Sequence, residues 1–210
     1  LADGKARAVV CNSGIANTCN ADGVEKARGM CEITAKALGI APTDVIVAST
    51  GVIGQPLDLS PVEQGMPQLI GELSKAGSDH AAQAIMTTDT RKKEFALTFM
   101  LGGKGCTIGA ISKGSGMIHP NMATMLCFIT TDVAISTPML QKALSAAVAD
   151  SFNMLSIDGD TSTNDMACIL ASGKAENREI VSENEDFALF TQMLLSLIHI
   201  SEPTRQAEIS

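Results

Sequence analysis

Lys113-Gly-Ser-Gly-Met-Ile-His-Pro-Asn-Met-Ala-Thr124-Met-Leu126 is the stretch on which the reading of this chain turns. It places one threonine behind a turn rich in glycine and proline and ahead of an apolar run that reads as a strand from Met125 to Thr130. A threonine hydroxyl is a weak nucleophile until a base sits beside it, and a threonine at a newly cut chain start carries one in its own α-amine. Ala123-Thr124 has the layout for such a cut. Gly114 and Gly116 reach backbone conformations closed to other residues, and Pro120 fixes φ and withholds a donor, so the turn can hold a peptide bond under strain. The plainer alternative, which composition alone favours because such loops are commonplace, is a Gly/Pro loop that merely enters a buried strand.

Outward from this loop the chain alternates strands and helices, which supports an α/β or α+β class. Phe95, Leu97 and Phe99 alternate, Gly102-Gly103 turns the chain, and Cys106 to Ser112 returns, so a hairpin leads into the loop. Toward the N-terminus, Ala6–Cys11 and Val45–Ala48 read as short strands, the second delivering Thr50 and Gly51 to its end. Between them Asp22-x-x-Glu25 is a capping-box pattern, with Val24, Ala27, Cys31, Ala35 and Leu38 as the apolar face of a helix stopped by Gly39. Ser60-Pro61-Val62-Glu63 opens a second helix that Pro67 is expected to kink or split, and Asp79 to Met86 a short third. Beyond the loop, Thr137-Pro138 starts a helix with Leu140, Ala143, Leu144, Ala147 and Val148 on one face, Ala167 to Ala171 is strand-like, and Ser182-x-x-Glu185 opens a last helix.

With 210 residues, 45% of them hydrophobic, the chain can bury a sizeable core. It carries no apolar run long enough to span a membrane as a helix and no signal-peptide pattern, so a cytoplasmic location without membrane attachment is expected. A formal charge of −8, no Trp or Tyr and only six Phe argue against a nucleic-acid surface and favour small-molecule substrates. Six cysteines without a C-x-x-C pair match no zinc spacing, so no metal is expected and the thiols read as reduced and mostly buried. Asp158-Gly-Asp-Thr-Ser-Thr-Asn-Asp165 has the carboxylate density of a calcium loop but not its register, and reads as a tight turn that shapes the site through side-chain bonds to backbone.

The run from Lys113 to Met125 fits throughout the pattern K-G-S-G-M-I-x-P-N-M-A-T-M and resembles the self-cleavage site of the ornithine acetyltransferase family, the glutamate N-acetyltransferases of arginine biosynthesis. Asn12-Ser13-Gly14 with Ala16-Asn17, Ser49-Thr50-Gly51-Val52-Ile53-Gly54, Met86-Thr87-Thr88-Asp89-Thr90 and the Asp158–Asp165 run are further likenesses at family-like spacing, from about residue 6 to about residue 196. The resemblance implies a four-layer αββα sandwich, here as a fragment. Residues 1–123 would be an α piece and 124–196 a β piece of one catalytic domain, with a foreign-looking tail at 197–210 that resembles a translated adapter. A lead-in segment, a downstream substrate-binding glutamate and further C-terminal site residues would belong to a longer chain.

For chemistry, the resemblance implies self-cleavage between Ala123 and Thr124, then transfer of an acetyl group from N-acetylornithine to glutamate through an acetyl-Thr124 enzyme. Thr50 and Gly51 match the family's oxyanion pair; by themselves they read as a strand-to-loop turn. Thr87, Lys113 and Thr124 fall where the family binds substrate, although a solvated loop lysine and a helix-end threonine are the simpler readings of the first two. His119 stands where the family's pattern is variable and is not expected to act. No cofactor is expected. Acetyl-CoA stands as a co-substrate that the motifs, shared by monofunctional and bifunctional members, neither require nor exclude. The implied partners are the α and β pieces themselves, as α2β2. A self-processing aminopeptidase or amidase and an inactive truncated fragment are the two competing readings.

Overall fold

The computed structural model describes residues 3–114, 125–154 and 163–201. Ala123, Thr124, His119 and residues 158–162 of the acidic run therefore lie outside the described residues. The contact pattern divides the chain into two units, residues 1–87 and 88–210. That division does not coincide with the expected cleavage position, which falls inside the second unit.

In the first unit, β1 (Ala8–Asn12) and β2 (Val45–Ser49) pair in parallel from Ala8 with Val45 to Asn12 with Ser49. Two β-branched apolar runs form the strands, and helix α1 (Gly23–Leu38) crosses between them and packs on both. β1 is half-buried along its length, whereas β2 is buried at Val45, Ala48 and Ser49. Gly39 ends α1 in the left-handed conformation, as expected, but the capping box does not form: Asp22 makes no cap bond and faces Lys26 at 3.7 Å. The buried face of α1 is Gly23, Met30, Thr34 and Ala35, and Val24 is 67% exposed. Helix α2 (Ser60–Gly71) runs unsplit through Pro67, because one missing N–H removes only the bond to Glu63. Its start is held by Asp58 rather than Ser60: the Asp58 carboxylate accepts from the backbone N–H and the hydroxyl of Ser60, and these bonds lower its pKa. α3 (Ser78–Ala84) is the expected short helix.

The second unit is a four-stranded sheet in the order β3-β4-β5-β6, comprising Lys93–Leu101, Lys104–Lys113, Leu126–Thr131 and Met166–Ala171. β3 and β4 form the expected hairpin. Gly102 and Gly103 both have positive φ, 53° and 81°, the backbone of a two-residue turn whose twist matches that of the strands. β4 and β5 are antiparallel up to the pair Lys113 and Leu126, and β5 and β6 are parallel, joined through α4 (Thr137–Ala149). α5 (Glu185–Ser201) packs on β3, β4 and α4.

Side-chain alternation gives this sheet two faces. Cys106, Ile108, Ala110, Cys127 and Ile129 point to the helices, where Ala143, Leu144 and Ala147 of α4 and Phe187, Phe190, Leu194, Leu197 and Ile198 of α5 close the core. Phe99 meets Phe190 with ring centroids 6.5 Å apart. Phe190 is wholly buried, and its removal would leave a cavity worth about 3–5 kcal/mol. One sequence expectation is amended here: Asn184, not Ser182, caps α5, accepting from the Phe187 N–H at 2.9 Å. α5 continues through Leu197 and Ile198, both buried on its apolar face. The α/β class read from the sequence holds.

Candidate active site

Each unit carries part of the expected site at the end of a strand. In the first, β1 and β2 continue their pairing into the Asn12-Ser13-Gly14 and Ser49-Thr50-Gly51 turns: the Thr50 N–H donates to Asn12 O at 2.9 Å and the Val52 N–H to Gly14 O at 3.1 Å. The Asn12 side chain folds its own turn, accepting from the Gly14 N–H and donating to Ile15 O. Ser13 Oγ donates to Ala84 O at 2.7 Å, tying the turn to the end of α3. Thr50 is 1% exposed. Since its N–H is committed to Asn12, the donor it retains for an oxyanion is its hydroxyl.

Gly51 lies between two residues that both donate toward the Asn12–Gly14 turn, and its own N–H makes no backbone bond to that turn. Its φ is 115°, and a Cβ there would stand 2.3 Å from Gly14 O, so no other residue fits. An oxyanion donor needs a fixed direction, and a backbone N–H on a glycine locked in this way supplies one.

In the second unit, Lys113 ends β4 opposite Leu126. It is 2% exposed, which removes the reading of a solvated loop lysine. Its parity places it on the sheet face turned away from α4 and α5, together with Ile111, Leu126, Phe128 and, across β6, Cys168. Charged groups are found at such depth when they are paired or used. Thr87 lies in the exposed bend beyond α3, at the end of the first unit. Thr124 and Ala123 are outside the described residues, so the nucleophile and cleavage bond remain expectations bounded by Gly114 on one side and Met125 on the other.

Around those two boundaries stand residues whose roles were not legible in the sequence. Asp89 Oδ1 accepts from the Gly114 N–H at 2.8 Å and from Lys93 Nζ at 3.0 Å, and Lys93 Nζ also donates to Gly114 O at 2.6 Å. Asp165 Oδ1 accepts from the Met125 N–H at 2.7 Å. This Asp165 bond is a side-chain bond to backbone reaching from the start of β6 to the start of β5, while the tight turn expected from residue 158 lies largely outside the described residues. Burial pushes the Cys127 thiol of β5 up to about 12, with Cys168 adding to the shift, and the Cys168 thiol of β6 up to about 11, away from the reactive thiolate form. Cys106 is also buried, Cys11 and Cys31 are half-buried, and Cys19 is exposed. Among the described residues no group of three or more His, Cys, Asp or Glu stands together to hold a metal ion, and no helix is long and apolar enough to cross a membrane.

The fold and these strand ends define an α/β chain with a glycine-built turn in one unit and, in the other, strand ends at Gly114 and Met125 bonded by side chains. Residues 1–200 match the ArgJ family, and the chain belongs to it. It is 54% identical over 188 residues to the arginine biosynthesis bifunctional protein ArgJ 1 of Clostridium acetobutylicum, covering 89% of this chain and 46% of that protein. It is 49% identical over 201 residues to the arginine biosynthesis bifunctional protein ArgJ of Symbiobacterium thermophilum, covering 95% of this chain and 50% of the other. The chain thus spans about half the length of the curated relatives it matches. Among solved structures, the arginine biosynthesis bifunctional protein argJ of Bacillus halodurans aligns with a TM-score of 0.49 at 36% identity, over 56% of this chain and 61% of that one.

Proposed function

We propose that the protein carrying this chain is a glutamate N-acetyltransferase of arginine biosynthesis, active after cleavage between Ala123 and Thr124. The observation that carries the reading is the unbroken Lys113–Met125 motif in an ArgJ-family chain, spanning the join between β4 and β5 with a buried lysine at its start. In the precursor the Thr124 hydroxyl attacks the Ala123 carbonyl. The amide nitrogen leaves as the threonine's amine, an ester forms in its place, and water hydrolyses that ester to give an Ala123 carboxylate and a free Thr124.

The freed amine, with an ordinary pKa of about 7.7 to 8.0, accepts the hydroxyl proton as Thr124 attacks the acetyl carbonyl of N-acetylornithine. It returns that proton to the departing ornithine nitrogen. Glutamate's amine then attacks the acetyl-Thr124 ester, and N-acetylglutamate leaves with the hydroxyl restored. The Thr50 hydroxyl and the Gly51 N–H supply the donors for the oxyanion in both halves, and Lys113 with Thr87 serves the substrate carboxylate. Acetyl-CoA is a second acetyl donor in this scheme, in keeping with the word bifunctional in the names of the relatives. The two pieces stay together as α2β2 in the cytoplasm.

The test is acetyl transfer by a full-length protein that carries this chain, with N-acetylornithine and glutamate, against the same protein with Thr124→Ala. Transfer by the first alone supports the reading. Equal transfer by both, or release of acetate or free amino acid without transfer, contradicts it.

A further inference from the structure

Beyond the last ladder pair, Asn12 with Ser49, the chain after β1 and the chain after β2 stay in register as far as the bridge between Ile15 and Val52. Gly14 stands inside this join. Its carbonyl accepts from the Val52 N–H at 3.1 Å, and the same oxygen is the atom that a Cβ on Gly51 would meet at 2.3 Å. The backbone of Gly51 is therefore set against the Gly14–Ile15 peptide. Glycine restricts its own backbone least of all residues, so that peptide needs an outside restraint. Asn12 supplies it with both ends of its side-chain amide: Oδ1 accepts from the Gly14 N–H at 2.9 Å, and Nδ2 donates to Ile15 O at 2.6 Å. These two bonds bracket the Gly14–Ile15 peptide. The Asn12 carbonyl accepts from the Thr50 N–H at 2.9 Å, so one residue touches Thr50 directly and Gly51 through Gly14.

We propose that Asn12 is a positioning residue for the oxyanion donors, an inference that rests on the reading of Thr50 and Gly51 as those donors. A donor serves a developing charge only when its direction is fixed before the reaction begins. For Gly51 that direction depends on the Gly14 carbonyl it packs against, and the carbonyl depends on Asn12. An asparagine that bonds the N–H two residues on closes a turn with its own side chain, and its amide offers an acceptor and a donor together. Alanine offers neither. Aspartate would keep the acceptor but set a second oxygen against Ile15 O, where Nδ2 now donates. A donor displaced by about 1 Å loses on the order of 10²-fold in rate.

The experiment measures kcat and KM for acetyl transfer from N-acetylornithine to glutamate, together with melting temperature, in a full-length protein carrying this chain. Asn12→Ala, Asn12→Ser, Thr50→Ala and the double variant of Asn12→Ala with Thr50→Ala stand beside the parent. The expected result for Asn12→Ala is a kcat lower by about 10²-fold at nearly unchanged KM, since the lost interaction is made only in the transition state. Asn12→Ser, whose hydroxyl accepts the Gly14 N–H more weakly, is expected to lose only about 10-fold. The double variant should be little slower than the slower single variant, because both changes act on one set of donors. Parental kcat in Asn12→Ala would overturn the proposal, and so would a double variant in which the two losses multiply. Should Asn12→Ala fail to fold, Asn12→Ser decides: the expected fall in kcat at parental KM and melting temperature supports the proposal, and parental kcat or a lost fold overturns it. Unchanged kcat/KM in Thr50→Ala overturns the oxyanion reading and the proposal with it, whereas a slowed Thr50→Ala beside a parental Asn12→Ala overturns the proposal alone.

Discussion

The turn after β2 and the loop after β4 occupy equivalent places, each just beyond a strand end, but they are held by different forces. The first is made of main chain: Thr50 and Val52 donate to Asn12 and Gly14, and Gly51 presses against Gly14 too closely for any Cβ. The second is held at its ends by side chains, with Asp89, Lys93 and Asp165 gripping the backbone of Gly114 and Met125. Geometry built from main chain tolerates most side-chain changes and fails at glycine. Geometry built from carboxylates fails when one is removed. Under the proposed function, an oxyanion turn needs one permanent direction, whereas a segment that is to be cut and then reused needs ends that stay fixed after its covalent continuity is lost.

The largest effect expected from breaking this contrast is at Thr124 itself, where alanine abolishes both cleavage and acetyl transfer, as mass analysis and a transfer assay would show. His119→Ala, in the same loop, leaves both largely intact. Gly51→Ala comes next. Its added methyl meets Gly14 O, and the strain of a non-glycine residue at this φ costs about 1–3 kcal/mol in melting measurements while removing transfer almost entirely. Thr50→Ala deletes one oxyanion donor but leaves the turn's N–H to Asn12, so kcat/KM falls by about 10- to 1000-fold with little change in melting temperature. A Thr50→Ala variant with unchanged kcat/KM would reduce the first region to an ordinary turn.

The smallest effect is a change of stability with pH. Burial raises Cys127 to about 12 and Cys168 to about 11 in the folded protein, above the ordinary thiol value of 9.0. The thiols therefore bind protons more tightly folded than unfolded. Their contribution is complete below about pH 9 and is lost as pH rises from there toward 11 and 12, by at most about 1.4 kcal/mol per pH unit for each thiol. Urea titrations at pH 8 and pH 10 measure this. Equal replacement of Cys127 and Cys168 by alanine flattens the slope if the account holds.

How much of this was legible in the sequence depended on which atoms do the holding. The hairpin was legible because alternating apolar residues and a glycine pair specify strand, turn and strand by local geometry alone. The apolar face of α4 was legible for the same reason. Helix starts were misread where several polar residues competed for one role: Asp22 faces Lys26 instead of capping α1, Asp58 replaces Ser60 at α2, and Asn184 replaces Ser182 at α5. The glycine-built turn was found through its motif. The parts played by Asp89 and Asp165 were not, because their bonds join residues 25 and 40 positions apart and no local pattern records such a pairing.

The central claim is that this ArgJ-family chain carries a threonine nucleophile released by its own cleavage. Intact-mass analysis of a freshly expressed full-length protein carrying this chain, followed by N-terminal sequencing of the products, tests it most directly. The account predicts two pieces, the second beginning at Thr124, and a single uncut chain in the Thr124→Ala variant. An uncut parent, or a second piece beginning at any other residue, would contradict it.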